Sequence, residues 1–326
     1  MDIMIRIGIA GFGNLGRGLL KAIKHQPDME PVVVLSRRSP DQLGLRQNIT
    51  VAPLYEAGQW QDKVDVMILC GGSATDLPEQ GPQLARYFHT VDSFDTHAHI
   101  PDYFNTMNQS AVAHEHLALI SCGWDPGLFS IMRTVFGSIL PDGQDHTFWG
   151  AGVSQGHSDA IRRIPGVIDA RQYTIPIAEA VTAARSRDIE LNTRQKHRRE
   201  CYVVAADGAD QKAIEAAIVT MPNYFADYDT TVTFISAEMM QREHDRLPHG
   251  GSVIRRGRTS ASNNQTVEFS LQLDSNPEFT ASVLAAYARA VYRLASQGRR
   301  GALTVLDIAP GLLSPLTPEQ LRKEIL

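Results

Sequence analysis

Two short stretches place carboxylates directly after apolar runs. They are "VDSFDTH", with Asp92 and Asp95, and "SCGWDPG", with Trp124 and Asp125. Carboxylates at the carboxyl ends of buried strands can hold a substrate ammonium or accept its proton. The same residues also suit plainer work. Asp125 before Pro126 makes a good N-cap with proline at the first helical position, and Asp95 makes a good cap or turn residue. A third stretch, "GFGNLGRG", spaces Gly11, Gly13 and Gly16 as G-x-G-x-x-G, with Asn14 and Leu15 opening the helix that follows. In a dinucleotide site the first glycine permits the tight turn, the second lets the pyrophosphate meet backbone, and the third lets helix and strand pack closely. About twenty residues on, where an NAD site carries an acid for the ribose 2′-hydroxyl, "VVVLSRRS" ends instead on Ser36, Arg37 and Arg38. Two guanidinium forks and a hydroxyl suit a 2′-phosphate, so the expected cofactor is NADP.

These residues need a scaffold, and hydrophobic patterning supplies one. "IMIRIGIA" reads as a buried strand, "NLGRGLLKAIKHQ" as an amphipathic helix and "PVVVLS" as a second strand, which makes a βαβ unit. "VDVMILC", "TVDS" and "LALISC" continue as strands, alternating with helices in "LPEQGPQLARYF" and "PDYFNTMNQSAVAHE". The fold class is therefore α/β, a Rossmann-type doubly wound parallel sheet, with a dinucleotide-binding domain over residues 1–122. After a helix beginning near Asp125, residues 123–276 mix polar loops with strands such as "RECYVVAA", "TTVTFIS" and "QTVEFSLQL", an α+β second domain. "FTASVLAAYARAVYRLASQG" is a long helix with a glycine stop, followed by "ALTVLDIAP", and residues 277–326 are expected to return to the first domain.

Composition narrows the ligand. The 326 residues carry 31 Lys plus Arg against 36 Asp plus Glu, and a net charge of −5 gives no electrostatic footprint for nucleic acid or an anionic membrane. A small-molecule amino-acid substrate is the better expectation for strand-end carboxylates. The opening "MDIMIRIGIAGFG" lacks the basic and apolar regions of a signal peptide, and no apolar run approaches membrane-spanning length, so a cytoplasmic location is expected. Cys70, Cys122 and Cys201 lie far apart in or beside apolar runs, which fits buried thiols in a reducing compartment. Cys122 also offers a rival reading, the nucleophile of an acylating NADP-dependent semialdehyde dehydrogenase, although no paired histidine accompanies it. A noncatalytic NADP-binding regulator is a second rival. His97, His99, His114 and His116 lack an H-E-x-x-H helix or a thiol set, so no metal is expected.

Taken together, "GFGNLGR", "LSRRS", "GSATDLPEQ", "SCGWDPG", "HTFWGAGVSQGHSDAIRRIPGV", "TMPNYF" and "LPHGG" resemble the meso-diaminopimelate dehydrogenase family nearly end to end. The resemblance implies reversible NADP-dependent oxidative deamination of the D-centre of meso-2,6-diaminopimelate. The products are ammonia and L-2-amino-6-oxopimelate, which cyclises to tetrahydrodipicolinate, an intermediate of lysine and cell-wall precursor biosynthesis. It further implies contacts to the reacting end from Asp95, Trp124, Asp125, Trp149, Gln155 and Gly156, and to the distal L-centre from Thr174, Arg199, His249 and Asn276. Ser73 and Thr75 join the cofactor contacts, and a homodimer forms through the second domain, which makes it a substrate and dimerisation domain. Read without the resemblance, Arg199 in "TRQKHRRE" belongs to a solvated basic face, His249 is a loop histidine, and Thr174 and Asn276 are ordinary strand and turn residues. Ala151 in "WGAGVSQG" departs from the proline of some relatives, which bears on loop shape and substrate breadth.

Overall fold

The computed structural model describes residues 4–45 and 49–326. Ile3, the first residue of the expected strand "IMIRIGIA", lies outside them, as do the first two residues of the expected 1–122 domain. The chain divides into two compact units, one containing the described residues up to Ile131 together with Pro277–Leu326, the other Met132–Asn276. The division falls within the helix Leu128–Ile139, later than residue 122, where the alternating strand pattern ends.

The first unit is built on β1 (Ile5–Ala10), β2 (Met29–Ser36), β3 (Thr50–Pro53), β4 (Val66–Leu69), β5 (His89–Asp92) and β6 (Leu117–Leu119). With the later strand Gly301–Leu303 beside β6, they form one sheet in the order β6–β5–β4–β1–β2–β3. Every pairing in it is parallel. Ile7, Ile9, Val34, Val66, Ile68 and Val91 are fully buried, because helices cover both faces and leave no side for polar residues. The order reverses between β1 and β4, the switch point at which such sheets open a crevice outside their carboxyl ends. The helix Asn276–Ser296 buries Ala281, Leu284, Tyr287, Ala288 and Val291 in the same apolar cluster as Ile7, Ile9 and Leu19.

The second unit contains β7 (Gly143–Trp149), β8 (Gly152–Val153), β9 (Val167–Pro176), β10 (His197–Ala205), β11 (Asp229–Phe234), β12 (His249–Ser260) and β13 (Asn263–Leu273). They form a four-stranded sheet, β11–β10–β9–β8, and a three-stranded sheet, β13–β12–β7. The antiparallel register of β9 and β10 sets Arg199 opposite Thr174. Ile161, Ala170, Cys201, Val203, Ile214 and Phe225 make the core under the four-stranded sheet. Among the described residues no helix is long and apolar enough to cross a membrane.

Candidate active site

The glycine turn follows β1. Gly11 has φ +94, and a Cβ on Gly16 would lie 2.3 Å from the Gly11 carbonyl oxygen, so the helix Asn14–Ile23 can begin this close to the strand only with glycine there. A Cβ on Gly13 would meet nothing within 4 Å. That open space faces a helix start whose first amides, including those of Asn14, Leu15 and Gly16, have no intrahelical acceptors. At the end of β2, the Ser36 hydroxyl accepts from the Arg38 amide at 3.0 Å, and Arg38 Nη2 donates to the Phe12 carbonyl at 2.6 Å. The end of β2 is thereby tied to the glycine turn. Arg37 is exposed and stands 3.0 Å from Asp76. No acid occupies residues 36–38, and β2 ends on a hydroxyl followed by two cations. The residues present fit NADP. After β4, Ser73 Oγ accepts from the Asp95 amide at 2.9 Å, while Thr75 is exposed in a turn whose amides 75, 76 and 77 converge on the Gly72 carbonyl.

The two acidic stretches follow β5 and β6, which pair directly through Val91 and Leu119. Asp95 is exposed, Asp125 is half-buried, and Trp124 sits edge-on to Phe129 with ring centroids 5.3 Å apart. Asp92 is fully buried and cannot meet a substrate. Its Oδ1 accepts from the Phe94 and Ser121 amides at 2.9 and 3.1 Å, and its Oδ2 accepts from the Tyr103 hydroxyl at 2.7 Å. Burial pushes its pKa up to about 6 in spite of those bonds.

Asp125 and Pro126 do not take the N-cap and first helical positions. The helix begins at Leu128, and the amides of Leu128 and Phe129 donate to the carbonyls of Gly123 and Trp124 at 3.1 and 2.8 Å. Gly127, at φ +134, turns the chain so tightly that a Cβ would lie 1.7 Å from the Gly123 oxygen. Asp125 therefore stands ahead of the helix. The nucleophile reading of Cys122 is overturned as well. The thiol is fully buried, and burial followed by the Asp92 charge pushes its pKa well above the ordinary value, so it is held as an inert thiol. Among the described residues, no group of three or more His, Cys, Asp or Glu side chains is placed to hold a metal.

In the second unit Arg199 is only 6% exposed, not part of a solvated face. Its Nη1 donates to Thr174 Oγ1, its Cζ lies 3.9 Å from the centroid of the Tyr228 ring, and its buried Nε has no hydrogen-bond partner. No carboxylate among the described residues pairs with it. His249 is buried too, and its Nδ1 accepts from the Gly250 amide at 2.8 Å. Burial, then the Arg199 charge, holds His157 and His197 near 3, and both influences also lower His249. Burial and the guanidinium both favour the neutral form of these rings, so Arg199 stands as a cation among imidazoles. The Asn276 amide donates to the Leu247 carbonyl at 2.9 Å, which brings Asn276 to the segment carrying His249. Trp149 is 36% exposed, stacks on His197 with centroids 5.4 Å apart, and donates its amide to His197 Nε2 at 2.8 Å. Gln155 and Gly156 are exposed at the start of the helix Gln155–Arg162. Tyr228 and His197 carried no sequence motif.

A doubly wound sheet of this order suits a dinucleotide at its switch point, and by its relatives the chain is in class an NADP-dependent dehydrogenase. Residues 123–275 match the family model of the diaminopimelic acid dehydrogenase C-terminal domain. The chain is 58% identical to the meso-diaminopimelate D-dehydrogenase of Ureibacillus thermosphaericus over 323 residues, 99% of each. Its structure is similar to that of the C. glutamicum DAP dehydrogenase in complex with DAP, at 47% identity and a TM-score of 0.94 over 100% of both chains. It is also similar to an engineered D-amino acid dehydrogenase bound to NADP+, at 46% identity and a TM-score of 0.90 over 99% of this chain and 100% of that one. The chain belongs to the diaminopimelate dehydrogenase family.

Proposed function

We propose that the protein deaminates the D-centre of meso-2,6-diaminopimelate, reversibly and with NADP, to L-2-amino-6-oxopimelate and ammonia. The observation that carries the substrate is Arg199, a buried guanidinium with an unbonded Nε and no carboxylate partner among the described residues. A buried cation without a counterion invites an anion, and a substrate with a second α-carboxylate brings one. In this reading Arg199 and Thr174 take the distal carboxylate, and His249 and Asn276 bond the rest of the L-centre. The contacts to the reacting end are assigned to Asp95, Trp124 and Asp125 of the first unit and to Trp149, Gln155 and Gly156 of the second. Firm contacts at the unreactive end fix the reacting carbon, so that remote binding energy becomes orientation.

NADP, when bound, supplies the hydride acceptor. The residues of the chain must free the nitrogen lone pair, because the C=N bond forms only from the neutral amine. Asp95 and Asp125 orient the ammonium, and one of them passes its proton towards water. Gly11, Gly13, Gly16, Asn14 and Leu15 would hold the pyrophosphate, Ser36, Arg37 and Arg38 the 2′-phosphate, and Ser73 and Thr75 would add polar contacts. The same reading places the enzyme in the cytoplasm, in lysine and cell-wall precursor synthesis, as a homodimer formed through the second unit. Val135 and Ile139 there are 44% and 58% exposed, apolar surface that a second copy would cover.

The function is tested by incubating the protein with NADP and either meso-diaminopimelate or a plain D-amino acid while following nicotinamide reduction and ammonia release. Ammonia formed in step with reduction, fastest on meso-diaminopimelate, is the expected result. Binding without turnover would restore the regulator reading. For the cofactor, the double change Arg37→Ala and Arg38→Ala should weaken NADP by roughly tenfold or more while barely altering NAD, since only the former loses charge-assisted phosphate contacts. Titration of both dinucleotides measures this, and equal losses would remove the arginines from the 2′-phosphate site.

A further inference from the structure

We infer that Asp92, a carboxylate no substrate can reach, is a positioning residue that holds the loops after β5 and β6 in one frame and so sets where Asp95, Trp124 and Asp125 stand. The inference rests on the proposed role of those three residues at the reacting end.

The geometry is specific. Asp92 ends β5, and one of its oxygens accepts from an amide of its own loop, Phe94, and from an amide of the neighbouring loop, Ser121. A second bond from the same loop reaches the Asp92 main chain, where the Cys122 amide donates to the Asp92 carbonyl at 2.8 Å. Ser121 has φ +56, the left-handed region that residues with a Cβ seldom occupy, and such outliers persist where the surroundings over-determine them. The bond from Asp92 falls on this residue, three positions before Trp124. The second carboxylate oxygen accepts from Tyr103, whose ring stacks on Phe94 with centroids 4.1 Å apart and planes at 16°. Phe94 is thus held through its amide and through its ring, and Asp95 follows it directly. The Asp95 amide, bonded to Ser73, carries the frame on to the loop after β4.

An ionised carboxylate can accept all three bonds. Asparagine can do nearly the same work, since its oxygen serves the two amides and its NH₂ can donate to the phenol oxygen. Alanine serves none of them. The prediction therefore separates a hydrogen-bonded frame from a requirement for charge. Displacing a reacting group by about 1 Å can cost on the order of a hundredfold in rate, and the frame is what prevents such a shift.

The experiment compares Asp92→Ala, Asp92→Asn and Tyr103→Phe in the full chain, measuring kcat for meso-diaminopimelate, KM for NADP, and hydrogen exchange at the Phe94 and Ser121 amides. Asp92→Ala should lower kcat by roughly tenfold to a hundredfold, leave KM for NADP within about twofold, and speed both exchanges. Asp92→Asn should recover kcat to within about threefold of the parent, with slow exchange restored. Unchanged kcat in Asp92→Ala would overturn the inference, as would an Asp92→Asn variant no better than Asp92→Ala. If Asp92→Ala does not fold, Tyr103→Phe decides, because it removes one bond and keeps the stacked ring. A severalfold fall in kcat at constant KM for NADP is then expected, and no fall would refute the role. A parent protein with no turnover on meso-diaminopimelate would instead refute the proposed function, and this inference would fall with it.

Discussion

Asp125→Asn is expected to lower kcat for deamination by roughly 10²–10⁴-fold, the range lost when a positioned proton acceptor is removed. Asp95→Asn should also reduce kcat and raise KM, because the two carboxylates share the orientation of one nitrogen. The larger loss identifies the group that takes the proton. An amide in place of either carboxylate still fits the space, but it neither attracts an ammonium nor accepts its proton. Had Asp125 been an N-cap, asparagine would have served about as well as aspartate. The helix begins at Leu128 instead, with its first amides already bonded to Gly123 and Trp124. A melting curve measured beside the activity separates lost chemistry from a frayed helix. An unaltered melting transition should accompany the loss of activity, and normal turnover would remove Asp125 from the reacting end. In the parent enzyme, oxidation should climb toward alkaline pH, where the substrate ammonium gives up its proton more readily.

The parts of the site legible in the sequence are those where spacing encodes a steric or charge requirement. Gly11, Gly13 and Gly16 are readable because a backbone conformation, an open space and a close approach each demand glycine at a fixed offset. The pair Arg37 and Arg38 is readable because it replaces an acid at a known distance. β3 escaped notice, since four residues at a sheet edge are too few to show a period. Asp92 was visible as a carboxylate at a strand end, but which way it faces depends on Ser121, in the loop after another strand, and on Tyr103. The helix expected near Asp125 starts later because Gly127, which looked like filler after the proline, turns the chain first. Tyr228 reaches Arg199 only because β10 and β11 pair in parallel, with Arg199 opposite Thr230. Arg199 itself could have been placed better. From His197 to Val203 the buried residues of β10 are His197, Arg199, Cys201 and Val203, a period of two, with Arg198 exposed between the first two. Alternation puts Arg199 with the thiol and the valine, and only the density of basic residues around it suggested solvent.

Arg199→Met should cost meso-diaminopimelate strongly and a D-amino acid without a second carboxylate very little. Methionine keeps a stem of comparable length and suits a buried site, so the packing beside Tyr228 is largely retained while the charged fork is lost. Removing one charge-assisted contact is worth on the order of 1.5–3 kcal/mol, which is roughly a tenfold to more than hundredfold fall in kcat/KM. The loss should sit in KM as well as kcat, because the distal contacts both bind the substrate and aim its reacting carbon. The surroundings of Arg199 favour this outcome over a structural one. An arginine buried to complete a fold is normally paired with an acid, and its removal leaves that acid stranded. Arg199 has a hydroxyl, an aromatic face and neutral imidazoles around it, so its removal strands no carboxylate among the described residues. The fold should therefore tolerate methionine even as the preferred substrate is lost. Measuring kcat/KM for both substrates in parent and variant decides the matter. A parallel fall on both would make Arg199 a support of the fold or of the cofactor, and no fall on either would leave the distal carboxylate to another residue.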